Sequence, residues 1–240
     1  MRIICIIPIF NEEQRLSKLL DSIKKYLIIK KNNVDFLLIN SGSKDKSLDI
    51  IKKNNFNYIS LRKNKGVGYV LLLGLKIAKK LNYDLLVQMA GNNKMSPFDI
   101  DKVLGPILEN NIDYVSGTRF REKQNYETNP IFRIIAIKLL SNLFSVIFKK
   151  NITDATCGFR AFKIDKIYKC FKYFNKKENY TYGYEYYSYG KILLSKTISS
   201  CEADVKMNYP KKGSYTKIRP VIDWYPMIWG YLRAFFDNKM

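Results

Sequence analysis

The turn Ala90-Gly-Asn-Asn-Lys94 follows the apolar run 85–89, and its residue types limit what it can hold. A hard divalent cation needs several carboxylate or carbonyl oxygens. Ala90 brings none, Asn92 brings one neutral amide oxygen, and Lys94 repels a nearby cation. An ammonium at that place suits an anion such as a diphosphate, where it offsets charge developing on a leaving group. Two arginines carry the planar fork that fits phosphate. Arg119 closes the run 115–118, and Arg133 lies in the first turn of a helix that Pro130 opens as its N1 residue. Free N–H groups at such a helix start also attract anions. Taken singly, an arginine of this kind is more often a solvated surface charge, and Lys94 reads equally well as one.

The chain has no histidine, so proton transfer falls to a carboxylate or is not needed. Its four cysteines, Cys5, Cys157, Cys170 and Cys201, are scattered without CxxC spacing, which argues against zinc and for reduced thiols. Net charge is +21, from 42 Lys and Arg against 21 Asp and Glu, and favours anionic partners. The charges are dispersed, and no recognition-helix, RNA-binding or zinc motif accompanies them, so nucleic acid is not the expected partner. A lysine-rich background accounts for part of the excess. The first apolar run, 3–10, is short and strand-like rather than a leader, so the expected location is cytoplasmic.

These residues need elements to position them. Short β-branched runs at 3–7, 36–39, 58–61, 85–89 and 114–116 alternate with amphipathic patterns near 12–26, 45–54, 67–81 and 97–110. The alternation predicts a mostly parallel α/β sheet flanked by helices, with ligands beyond the carboxyl ends of the strands. The loops to inspect are therefore 8–13, 40–45, 90–97 and 117–120. In the first, Asn11 can cap the following helix, with Glu12 and Glu13 at the positive end of its dipole; Ser43 or Asp45 can do the same for the next.

The second half is greasier. Residues 130–148 are apolar apart from Arg133 and a helically spaced polar stripe of Lys138, Ser141, Asn142 and Ser145. This run is too interrupted for a confident membrane span and fits a membrane interface or a buried core helix. Residues 224–236 supply interfacial aromatics, Trp224, Tyr225, Trp229, Tyr231, Phe235 and Phe236, with Arg233; Lys211, Lys212, Lys217 and Arg219 precede them.

Five segments in order resemble the family 2 glycosyltransferases: Pro8-Ile-Phe-Asn-Glu-Glu13, Asn40-Ser-Gly-Ser-Lys-Asp45, Asn64-Lys-Gly-Val-Gly68, Val115-Ser-Gly-Thr-Arg-Phe120 and Thr153-Asp-Ala-Thr-Cys-Gly-Phe-Arg-Ala161. The last two look like the dolichyl- and polyprenyl-phosphate branch. The resemblance implies a GT-A (Rossmann-like) fold and transfer, with inversion, of a sugar from a nucleotide-diphosphate donor to a polyprenyl phosphate or related anionic lipid. It implies a donor pocket of Pro8, Phe10, Asn11, Glu12, Asn40, Asp45, Ala90 and Asn92. Arg119 and Arg133 would grip the acceptor phosphate, and Asp154 would be the catalytic carboxylate, although it also reads as a loop cap. The chain departs from the family where Asn40 and Ser41 replace acids and where Ala90 and Asn92 replace the metal-binding Asp-x-Asp, with Lys94 two places on. No metal ligands are expected there; Mg²⁺ or Mn²⁺ would have to be recruited by other residues.

The resulting layout is a domain over 1–220, with a nucleotide-sugar half (1–125) and an acceptor half (126–220), and an aromatic, basic interfacial helix over 221–240. Expected partners are a nucleotide sugar, a polyprenyl-phosphate-like lipid, an anionic membrane surface on the cytoplasmic side and a membrane-spanning protein that holds the domain there. The alternative is a catalytically silent relative that binds lipid or a partner enzyme.

Overall fold

The computed structural model describes residues 1–29, 33–122, 131–171, 183–209 and 224–237. Pro130, Lys211, Lys212, Lys217 and Arg219 lie outside them. The chain alternates as expected through its first half: β1 (Ile3–Ile9), α1 (Glu13–Ile29), β2 (Val34–Asn40), α2 (Ser47–Lys53), β3 (Asn57–Ser60), α3 (Val67–Lys80), β4 (Leu85–Gln88), α4 (Ile100–Asn110) and β5 (Tyr114–Thr118). Then follow α5 (Ile131–Phe148), β6 (Arg160–Lys163), α6 (Ile164–Tyr168), α7 (Gly183–Leu194), β7 (Ser200–Asp204) and α8 (Trp224–Phe236).

The strands form one sheet in the order β3-β2-β1-β4-β6-β5-β7. Pairs β1–β2, β1–β4, β2–β3 and β5–β7 are parallel, whereas β6 runs antiparallel to both neighbours. Neither β6 nor β7 was legible beforehand. Inserting β6 with Gln88 opposite Arg160, and Ser116 opposite the same arginine, draws the ends of β4 and β5 to either side of one strand. That register brings the turn after β4 and the arginine after β5 to the same edge of the sheet.

Both faces of the sheet are covered. Alternation along β1 sends Cys5, Ile7 and Ile9 to one core, with Leu16, Leu19, Leu20 and Ile23 of α1 and Val103, Leu104 and Ile107 of α4. Ile4 and Ile6 face the other core with α3, α7 and α8. Cys5 is fully buried and packs as a small hydrophobe. Helix α3 lies close on β1: a Cβ at Gly74 would come within 2.6 Å of Ile6 Cγ2.

Two expectations change. The polar stripe on α5 divides: Lys138 and Asn142 are exposed, but Ser141 is buried, donating to the Ile137 carbonyl (2.8 Å) and accepting from Ala155 N (2.9 Å). Ser145 likewise turns inward to Ile152. Around Lys138 and Asn142 the face left in solvent is mostly apolar: Ile131, Phe132, Ile135, Leu139, Leu143 and Val146, the last 78% exposed. Helix α8 is half core. Its Met227, Tyr231 and Ala234 are buried, a Cβ at Gly230 would meet the Gly183 carbonyl at 2.8 Å, and the Tyr231 hydroxyl donates to the Ala155 carbonyl at 2.7 Å. Trp224, Tyr225, Trp229 and Phe236 remain exposed.

Candidate functional site

Beyond the carboxyl ends of β1 and β4 opens a cavity of about 1160 Å³. Pro8, Phe10, Asn11, Glu12, Asp45, Ala90, Asn92, Lys94, Arg119 and Arg133 all line it, whereas Asn40 and Asp154 do not.

Its first wall is two interlocked turns. Asn11 takes a left-handed backbone (φ 51°), and its side-chain oxygen accepts from Lys44 N at 2.8 Å, reaching across to the other turn. The free N–H groups at the start of α1 are met from the other turn, Glu12 N by Ser47 Oγ (2.8 Å) and Glu13 N by Asp45 Oδ2 (3.0 Å). Asp45 also accepts from Ser47 N at 3.0 Å, so one carboxylate holds both helix starts. Gly42 permits the tight path between them: φ is +65°, and a Cβ there would meet the backbone of Lys63 at 2.6 Å. Asn40 lies beneath, buried, donating to Ser60 Oγ at 2.9 Å and accepting from Ser43 N at 3.2 Å. It supports the turn rather than contacting a ligand.

The second wall is the turn after β4. A Cβ at Gly91 would come within 2.7 Å of the Pro8 carbonyl, so its absence lets this turn pack on the end of β1. Ala90 N donates to Met95 Sδ (3.2 Å), Lys94 N to Asn92 Oδ1 (3.3 Å) and Asn208 N to the Lys94 carbonyl (2.9 Å). An isolated bridge joins Met95 to Met207. The turn is thereby tied to the segment after β7 that carries Tyr209.

Tyr209 is the meeting point of the cations. Arg119 Nη1 donates to its hydroxyl at 2.7 Å; Lys94 Nζ lies 5.3 Å and Arg133 Cζ 5.5 Å from its ring centre. Lys94 is only 7% exposed. Burial, with the charges of Arg133 and Arg15, pulls its pKa down to about 7, Glu12 opposing and Arg119 adding to the fall.

Arg119 and Asp154 form a closed, buried pair. Arg119 is 2% exposed and Asp154 fully buried. Nε and Nη2 of Arg119 grip the two oxygens of Asp154 at 2.6 and 2.7 Å, and Nη2 also reaches Thr156 Oγ1 at 2.6 Å. Asp154 accepts as well from Arg119 N and from the Thr156 amide and hydroxyl. Burial would lower the Arg119 pKa, but Asp154 and Tyr209 outweigh it and raise it well above the ordinary value. Behind this pair, Glu202 of β7 accepts from the amides of Thr153 (2.9 Å) and Asp154 (3.2 Å), holding the loop. Asp154 is therefore a positioning residue whose charge largely cancels that of Arg119.

The cavity also contains residues that sequence reasoning missed: Arg15, Gln88, Thr156, Glu185 and Tyr209. Tyr209 follows β7, an unforeseen strand, so its loop was never inspected. Glu185 sits in the first turn of α7; burial raises its pKa and Arg160 opposes the rise. The Arg160 guanidinium itself is committed to the Cys157 and Glu185 carbonyls at 3.1 and 2.8 Å.

An α/β sheet with interlocked strand-end turns, a cation cluster and a wide cleft frames the site, and comparison identifies the family. The model of Glycosyl transferase family 2 matches residues 4–171, and the chain belongs to that family of glycosyltransferases. It is 28% identical over 174 residues (65% of this chain, 67% of the relative) to UDP-N-acetylglucosamine–dolichyl-phosphate N-acetylglucosaminyltransferase of Methanococcus voltae. It is 24% identical over 172 residues to dolichyl-phosphate beta-glucosyltransferase of Dictyostelium discoideum, matching 65% of this chain and 52% of that one. Among solved structures, mannosyl-3-phosphoglycerate synthase of Rubrobacter xylanophilus superposes with a TM-score of 0.69 at 15% identity, covering 99% of this chain and 74% of that one. That likeness extends the GT-A fold over nearly the whole chain.

Proposed function

We propose that this glycosyltransferase moves a sugar, with inversion, from a nucleotide-diphosphate donor to a polyprenyl phosphate or related lipid phosphate. One observation carries the reading: a single cavity joins the strand-end turns of the first half to Lys94, Arg119 and Arg133, gathered on Tyr209. The named activities of the relatives in Methanococcus and Dictyostelium support it. The walls around Asn11, Asp45 and Gly66 would hold the nucleoside. Glu185 offers a carboxylate that can accept hydrogen bonds from sugar hydroxyls. Arg133 is the arginine able to meet the acceptor phosphate, with Arg119 shaping the field beside it. A phosphate monoester is already an oxyanion at neutral pH, so attack on the anomeric carbon needs no strong base, in keeping with a site without histidine.

The lipid tail would run along α5. Arg133 enters the cavity from the same helical turn that exposes Ile131 and Phe132, and the apolar stripe continues to Val146. With the exposed aromatics of α8, this face would rest in the interface of an anionic cytoplasmic membrane, beside a membrane-spanning partner.

Transfer from a panel of nucleotide sugars to a short polyprenyl phosphate tests the function. Arg133→Ala should lower acceptor use about tenfold or more, the loss of one charge-assisted contact of about 1.5–3 kcal/mol, while donor affinity stays nearly constant. Wild-type acceptor kinetics in that variant would reject the assignment of Arg133. No transfer with any donor, and no donor binding, would favour a silent relative, the reading that the missing acids at Ala90 and Asn92 favour.

A further inference from the structure

We propose that Lys94 takes the place of the divalent cation on which this family's Asp-x-Asp turn depends, its ammonium closing on the donor diphosphate so that transfer proceeds without metal. The inference rests on the transferase reading and concerns the same cavity.

A metal does not fit the residues present. At the strand end Ala90 contributes no ligand, and the side-chain oxygen of Asn92 is turned back onto the amide of Lys94. Among the described residues no group of three or more His, Cys, Asp or Glu could hold a metal ion. Mg²⁺ and Mn²⁺ bind hard anionic oxygens; the carboxylates that line the cavity, Glu12, Glu13, Asp45 and Glu185, come from other elements than this turn, and Lys94 faces Arg133 and Arg15 as well as Glu12.

Lys94 itself is built in rather than solvated. Its carbonyl accepts from Asn208 N at 2.9 Å, the adjacent Met95 bridges to Met207, and its side chain is 7% exposed above the ring of Tyr209. An ammonium fixed at the lip of the β4 turn, in a positive field, is relieved by an anion and not by a cation. The site lies where the turn meets the end of β1, within the same cavity as the nucleoside walls.

During transfer the bond from the anomeric carbon to the diphosphate oxygen breaks, and its electron pair leaves with the diphosphate. A new bond forms from an oxygen of the acceptor phosphate to the same carbon. Negative charge therefore grows on the leaving diphosphate, where a positioned ammonium stabilises it without reorganisation. No oxidant, reductant or additional proton is required.

Calorimetry with inorganic pyrophosphate tests the site apart from the reaction. Wild-type protein should bind pyrophosphate in excess EDTA, bind no tighter when Mg²⁺ replaces the chelator, and give no saturable heat with Mn²⁺ alone. Lys94→Met should weaken pyrophosphate about tenfold or more, and Lys94→Arg should keep most of the affinity; Lys94→Gln repeats the test if Met disturbs the turn. With a competent donor, transfer should persist in EDTA and fall on the order of 10²-fold in Lys94→Met. Pyrophosphate binding that requires a divalent ion overturns the proposal, as does wild-type affinity in Lys94→Met, which would locate the anion elsewhere on a basic surface. Lys94-dependent, metal-free pyrophosphate binding without any sugar transfer would instead overturn the transferase reading and leave the anion site standing.

Discussion

A guanidinium and a carboxylate that are both buried have to stay together. Arg119 and Asp154 share two short hydrogen bonds with almost no solvent contact. Removing Asp154 strands a charge in the interior, at a cost of about 3–5 kcal/mol. Asp154→Ala should therefore lose about that much unfolding free energy in urea titration, and wild-type stability in this variant would show that solvent already reaches the pair. Lys94 makes the opposite kind of prediction. Its folded pKa, near 7, lies below the ordinary lysine value of 10.5, so above pH 7 the unfolded chain binds more protons than the native one. The penalty for burying Lys94 is full below about pH 7 and is relieved as pH rises toward the ordinary value. The charged groups that face Lys94 are Arg133, Arg15, Glu12 and Arg119. Donor binding runs the other way, because an anion selects the protonated ammonium. Donor KM should rise between about pH 7 and 9 in wild type and stay flat in Lys94→Arg, measured with a diphosphate donor; a flat wild-type profile would contradict this.

At the scale of elements, α5 shows why a hydrophobic pattern does not reveal which way a helix faces. Its serines satisfy backbone groups of the 152–155 loop, and this need turns Ile135, Leu139, Leu143 and Val146 outward. By length and composition the helix could cross a membrane, but Ile137, Ser141, Phe144 and Phe148 are committed to the domain. A face of this kind suits an interface, where a helix buries one side among headgroups. Vesicles containing an anionic phospholipid should cosediment with wild-type protein and bind several-fold less of a Leu139→Ser, Val146→Ser double variant, whose substitutions sit in solvent and leave folding stability within about 0.5 kcal/mol per site. Equal binding by both proteins would remove α5 from the contact.

The molecule as a whole joins two halves through one antiparallel strand. By pairing with both β4 and β5, β6 sets the turn after β4 next to the arginine after β5, and the segment after β7 closes the gap with Tyr209. The excess of 21 positive charges is spread over the chain, and Arg15, Lys94, Arg119 and Arg133 are among those that line one cavity. Vesicle binding should weaken with added salt as the dispersed lysines are screened. A salt-independent interaction would point to apolar insertion alone.

By itself the sequence determined the alternation of strands and helices, the edge of the sheet where the cavity opens, the family, and several residues of the cavity wall, including Lys94 and Arg133. These are written in local periodicity and in short motifs, where neighbours along the chain are neighbours in space. Only the tertiary structure decided that Asn40 supports a turn from below, that Asp154 neutralises an arginine 35 positions earlier, that Tyr209 collects three cations, and that the apolar side of α5 faces out. Each of those outcomes depends on the pairing of groups remote in sequence. Strand register and the demand that buried polar groups find partners settle such pairings, and neither leaves a periodic trace in the chain.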